Sequence, residues 1–168
     1  RVLSCRNQPL KLSYMTITLF SGPADLCERM KKIAPYLSFN GHCREAMEFY
    51  QQCLGGELHL QTVGDSPLSD SMPAHMKDTI VHALLRIRQM EIMGSDMAGE
   101  NGLQKGNAIS MMLDCSSENE IHEIYTKLAA GGEATHPVHV SFWGALFGDL
   151  VDKFGHHWLL HFDNRQTD

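Results

Sequence analysis

The sequence predicts an α+β protein made of two βαβββ modules that form a cupped mixed sheet. Three observations carry this. The stretch "EFYQQCLGGE" (Glu48–Glu57) is written again as "EIYTKLAAGGE" (Glu123–Glu133), each a helix exit running into Gly-Gly-Glu. An alternating, strand-like run precedes both helices, and three more strand-like runs follow each. With Tyr50 set on Tyr125, an offset of 75 residues, Glu45 falls on Glu120, Glu48 on Glu123 and Phe49 on Ile124. Such a repeat sets the architecture before any single residue is interpreted.

The elements follow in order. Residues 1–29 show no clear period, whereas "MKKIAPYLSF" at Met30 reads like a chain start, so the first segment is expected to be a non-native or disordered extension. A signal peptide is the alternative, with Tyr14–Phe20 as a short apolar region and a loose cleavage site after it. Module 1 covers residues 30–97. It opens with the strand Lys32–Phe39, and its helix carries Ala46, Phe49, Tyr50 and Cys53 at i, i+3, i+4, i+7 over polar Glu45, Glu48 and Gln52. The strands Gly56–Val63, Thr79–Ile87 and Met90–Gly94 complete it, with a Pro-, Ser- and Asp-rich loop after the first of them.

Residues 98–106 read as a linker, 107–163 as module 2 and 164–168 as a tail. Module 2 opens with Asn107–Asp114, and Ser117 followed by Glu120 is a capping-box signature for its helix. Ile121, Ile124, Tyr125 and Leu128 form the apolar stripe, and Gly55 and Gly131 sit where each helix wants a left-handed C-cap. The strands Gly132–Val138, Phe147–Asp152 and His156–Phe162 close the module.

Composition narrows the function. A net charge of −6 over 168 residues and no basic stripe argue against nucleic acid. No apolar run approaches the ~18–20 residues that a membrane span needs. Five scattered cysteines, odd in number and without C-x-x-C, read as reduced thiols of a cytoplasmic protein.

"PYLSFNGHCREAMEFYQQCLGGEL" (Pro35–Leu58), "MGSD" (Met93–Asp96) and "FWGALFGDLVDKFGHHWLLHF" (Phe142–Phe162) resemble the PhnB-like branch of the vicinal oxygen chelate superfamily. That superfamily includes glyoxalases, bleomycin-resistance proteins and extradiol dioxygenases. The resemblance implies paired modules around a cavity and a homodimer, as the open sheet edges also do. It also implies a divalent metal held by His and Glu on the first and last strands of each module. Those positions fall here at Pro35, at Ser110 or Met111, at Leu159 and at Glu91, so only Glu91 brings a suitable ligand atom. The branch further carries a demethylubiquinone methyltransferase label. The chain lacks the Gly-rich strand-to-helix turn that would cradle a nucleotide-like cofactor. No metal and no cofactor are therefore expected.

Histidines elsewhere offer little compensation. On a strand, His157 and His161 lie about 13 Å apart and cannot share one ion; His136 and His139 face opposite ways. A site across strands, such as His82 with Glu91, stays open. No cysteine shows the features of a nucleophile: Cys53 belongs to an apolar stripe and reads as core, and a reactive Cys43, near a helix N-terminus where the dipole lowers a thiol pKa, is only the alternative.

What remains is a small-molecule pocket, with His82, Met111, Trp143 and Trp158 as its expected lining, Trp158 in its apolar strand having the core as its other reading. Asp152 opens "DKFG" and reads first as a turn cap. Three functions stay in view. The first is a metal-free small-molecule binder. The second is a lyase, isomerase or dioxygenase with a rearranged metal site. The third is an acid–base enzyme using His82 with Asp96 or Glu91 as its catalytic groups.

Overall fold

The computed structural model describes residues 32–98 and 102–165. The expected extension 1–29, part of the linker and the end of the tail lie outside the described residues. Both modules lie in one unit, Ala34–Asp168.

Module 1 runs β1 (Tyr36–Ser38), α1 (Cys43–Leu54), β2 (Glu57–Thr62), a 3-10 turn (Ala74–Met76), β3 (Ile80–Ile87) and β4 (Met90–Ser95). Module 2 runs β5 (Met111–Asp114), α2 (Glu118–Leu128), β6 (Glu133–Val140), β7 (Leu146–Val151) and β8 (His157–Phe162). Each builds a four-stranded mixed sheet, ordered β1-β4-β3-β2 and β5-β8-β7-β6. The opening strand of each module pairs parallel with its last strand, Tyr36 opposite Met93 and Met111 opposite Trp158; the other pairings are antiparallel. The expected fold class is therefore present. Both opening strands are shorter than their alternation predicts, because only the residues reached by β4 or β8 find a ladder partner.

The repeated Gly-Gly has a physical reason. Gly55 (φ +75°) and Gly131 (φ +77°) take the left-handed conformation that releases the chain from each helix. Gly55 caps α1 directly, whereas Ala129 caps α2, and the extra alanine moves the left-handed residue downstream. The second glycine of each pair serves another purpose. A Cβ on Gly56 would lie 2.2 Å from the Arg86 carbonyl oxygen, and one on Gly132 would lie 2.2 Å from that of Val151. Each strand after a helix thus passes its neighbour too closely for a side chain.

The helix starts differ. Ser117 accepts from the Glu120 N–H, as the capping box predicts, while the Glu120 carboxylate turns back to Ser116. His42, the N-cap of α1, makes no side-chain cap bond. Asp96, from the end of β4, accepts from the Cys43 N–H instead.

One core spans both modules. α1 packs on β3 and β2, α2 on β8 and β7, and the helices touch each other. Met47, Tyr50, Ile121, Leu128, Trp158 and Leu160 are fully buried in it. Alternate strand residues point to the opposite face of each sheet, which is only half-covered; Tyr36 is 51% exposed there and Met112 58%.

Candidate functional site

The candidate site is a cleft of about 320 Å³ where the two modules meet. β1 supplies Tyr36 and Ser38, β5 supplies Met111, the linker supplies Lys105, the β7–β8 turn supplies His156, and β8 opens with His157. A neighbouring cleft of about 460 Å³ shares Leu103, Lys105 and Gly155 with it.

Behind this cleft lies a buried polar network. Asp152 Oδ1 accepts from the backbone N–H groups of Phe154 (2.9 Å) and His156 (3.0 Å), which bends the turn as the "DKFG" motif predicts. Its Oδ2 accepts from the Tyr50 hydroxyl (2.7 Å) and from Trp158 Nε1 (2.8 Å). Four donors fill the carboxylate, so the burial of Asp152 is balanced by hydrogen bonds. Tyr50 also stands 3.1 Å from His156 Nδ1. Burial, reinforced by Asp152, pushes the Tyr50 phenol far above its ordinary range, so it stays protonated. Burial lowers the His156 pKa; Asp152 pulls the other way, and Lys105 and His157 act with burial.

The structure disperses the residues expected to form a site. Met111 lines the cleft. His82 sits half-buried on the open face of the first sheet, its ring 6.2 Å from that of Tyr36. Glu91 pairs across β3–β4 with Arg86, at 3.4 Å. That register puts it four residues along β3 from His82, or about 13 Å. The Asp96 carboxylate accepts from the N–H groups of Cys43 (2.9 Å) and Ile80 (3.3 Å), binding the head of α1 to the start of β3. His82, Glu91 and Asp96 are not brought together. Trp143 occupies the β6–β7 turn against Phe142 and Phe147. Trp158, read as pocket wall or as core, is 1% exposed in the core, because its face of β8 is turned to the helices.

Cys43 stands at a helix N-terminus, yet burial and the adjacent Asp96 push its pKa up to about 12, the opposite of an activated thiol. His156 and Tyr50 were missed. The repeat aligns Tyr50 with Tyr125, but Tyr125 donates to the Asp149 carbonyl and Tyr50 to a buried carboxylate. Only "DKFGHH", with its two histidines after a tight turn, hinted at the difference.

The model of the family described as 3-demethylubiquinone-9 3-methyltransferase matches residues 31–161. The chain belongs to that family. It is similar to protein YjdN of Escherichia coli K12, 34% identical over 143 residues, 80% of this chain and 97% of YjdN. Protein PA1353 of Pseudomonas aeruginosa is 37% identical, with a TM-score of 0.71 over 80% of this chain and 98% of that one. A PhnB protein of Bacillus cereus is 28% identical, with a TM-score of 0.64 over 79% of this chain and all of the other. The fold is that of the glyoxalase/bleomycin resistance/dioxygenase superfamily.

Neither group implied by these relationships fits the described residues of this PhnB-like chain. Among them, no three His, Cys, Asp or Glu side chains converge as a metal site. The superfamily ligand positions fall mostly on inert residues. A nucleotide-like methyl donor would need a glycine-rich turn at the head of a helix. The β1–α1 turn has only Gly41, and the first N–H of α1 already donates to Asp96. No helix among the described residues is long and apolar enough to cross a membrane.

Proposed function

We propose that the chain binds a small organic molecule in the cleft between β1, β5 and the β7–β8 turn, without a metal as an obligatory ligand. The observation that carries this reading is the lining. Tyr36 and Met111 offer an aromatic and an adaptable apolar wall, while Ser38, Lys105, His156 and His157 supply a few polar groups. The volume, about 320 Å³, lies at the lower end of ligand pockets, which run from roughly 300 to 1,000 Å³.

A fragment screen read by protein NMR tests this. Binders are expected to shift Tyr36, Met111 and His157 together, and Met111→Trp, which fills the cleft, is expected to abolish those shifts. Binders that map elsewhere, or that survive Met111→Trp, overturn the reading.

We assign the partner of the half-covered sheet faces to a second copy of this chain. Tyr36, Met112 and Phe142, the last 98% exposed, support that reading. Light scattering at micromolar concentration is expected to give about twice the 18.9 kDa chain mass; a single chain mass refutes it. The free, buried thiols of Cys43, Cys53 and Cys115 suit a reducing, cytoplasmic setting.

A further inference from the structure

We infer that His156 is the proton-accepting group of the cleft, held with Nε2 toward the ligand by Tyr50 and Asp152. Its ligand is then a neutral weak acid: an enol, a phenol or an acidic N–H. This deepens the cleft reading above and rests on it.

The hydrogen bonds decide the tautomer. Tyr50 has one hydroxyl proton, and the 2.7 Å contact commits it to Asp152 Oδ2. The 3.1 Å contact between the Tyr50 oxygen and His156 Nδ1 must then be carried by a proton on Nδ1. A neutral imidazole protonated at Nδ1 keeps its lone pair on Nε2. Asp152, its four acceptor sites filled, cannot release Tyr50 without leaving a buried carboxylate short of a donor.

The other edge of the ring is open. Among the described residues His156 Nε2 has no hydrogen-bond partner, and no buried side-chain nitrogen or oxygen lacks one. Nε2 therefore reaches solvent, and His156 is a cleft-lining residue. Its side chain is 16% exposed, and Phe39 packs edge-on against the ring at 5.2 Å. A histidine serving only the core would satisfy both nitrogens inside it.

The charged and titratable groups around the ring are Tyr50, Asp152, Lys105 and His157. Burial keeps the imidazole neutral at neutral pH and so available as a base. Transfer is balanced within the cleft: the ligand's X–H bond breaks, its proton forms N–H at Nε2, and the electron pair stays on X. The imidazolium so formed has Asp152 Oδ1 3.9 Å from Nδ1. The ligand anion stays in a cleft that Lys105 also lines, the Lys105 ammonium being held by the Phe154 carbonyl. The proton returns when the ligand leaves. Tyr50 and Asp152 are positioning residues here, since neither touches the ligand.

The test uses the full chain and two readouts. Nitrogen-15 NMR of the histidine rings, above neutral pH, is expected to show His156 protonated at Nδ1 and bare at Nε2. In Tyr50→Phe the Nδ1 proton loses its acceptor, and a mixture of tautomers is expected. Carbethoxylation by diethyl pyrocarbonate, read by peptide mass spectrometry, is expected to modify His156 in the native protein. Met111→Trp is expected to slow that modification about tenfold by filling the space before the ring, with the tautomer unchanged. A wild-type His156 protonated at Nε2, or one that stays unmodified while His157 reacts, overturns the inference and leaves the cleft reading standing. An unchanged modification rate in Met111→Trp, with the Nδ1 tautomer intact, shows that the cleft does not front the ring and removes both.

Discussion

Replacing Asp152 with asparagine keeps the size of the side chain and removes one acceptor oxygen. In the native protein that carboxylate serves four donors, two at each oxygen. An asparagine that keeps its oxygen toward Phe154 and His156 presents an NH₂ group to Tyr50 and Trp158. Tyr50 can adapt, because its hydroxyl rotates to accept from the new amide and, once the His156 proton moves to Nε2, to donate to Nδ1. Trp158 cannot, because its indole N–H has a fixed direction and only donates. The expected loss is one charge-assisted hydrogen bond plus a stranded buried donor, about 3 kcal/mol in all. For a chain of this size that lowers the melting temperature by roughly 6–12 °C. Urea unfolding followed by circular dichroism measures it. Trp158→Phe removes the stranded donor, so the Asp152→Asn cost is expected to shrink by about 1–3 kcal/mol in the Trp158→Phe background. An Asp152→Asn variant within about 0.5 kcal/mol of wild type, or strict additivity in the double variant, refutes this account of the network.

Other outcomes follow from the same structure. The folded pKa of His156 lies below its ordinary 6.5, so between the two values the unfolded chain binds the extra proton. Stability is therefore expected to fall as pH drops through that window and to level off below the folded value, and a His156→Asn variant showing the same slope in urea midpoints against pH contradicts it. Burial raises the Cys43 pKa to about 12 and the Cys115 pKa to about 11, with Cys53 raised as well. All three should resist iodoacetamide at mildly alkaline pH until urea unfolds the chain; alkylation of Cys43 in native protein would show the helix dipole winning over burial. Gly132→Ala places a Cβ 2.2 Å from the Val151 oxygen and 2.8 Å from the Asp152 carbonyl carbon, and should cost about 2–3 kcal/mol. Gly55→Ala meets no atom within 4 Å, and its φ of +75° alone should cost about 1–2 kcal/mol; equal melting temperatures for the two variants would refute the distinction. Asp96→Ala removes the remote cap of α1 and should cost about 1–2 kcal/mol. It should leave fragment binding in the cleft unchanged, and a lost binder there would give Asp96 a role beyond support.

The sequence alone determined the repeat, the order of the elements and the chemistry of the helix exits. These rest on local periodicity and backbone sterics, which a chain carries wherever its neighbours come to lie. Ser117 and Glu120 announced a cap from three residues apart, and Gly55 and Gly131 announced left-handed turns. Asp152 was legible only as half of its role, the turn, because Phe154 and His156 follow it closely. Its other half, the bonds to Tyr50 and Trp158, arises because α1 packs against the end of the second module, 102 residues away along the chain. Asp96 was misread for the same reason: an acid at a strand end looks free until the head of a helix from 53 residues earlier is laid against it. The face of β8 that carries Trp158 could not be assigned from alternation, since alternation says that two faces exist and not which one meets the helices. Tertiary packing made that choice. It turned Trp158 inward, left His82 and Glu91 about 13 Å apart, and set His156 with one nitrogen in the core and the other at the cleft.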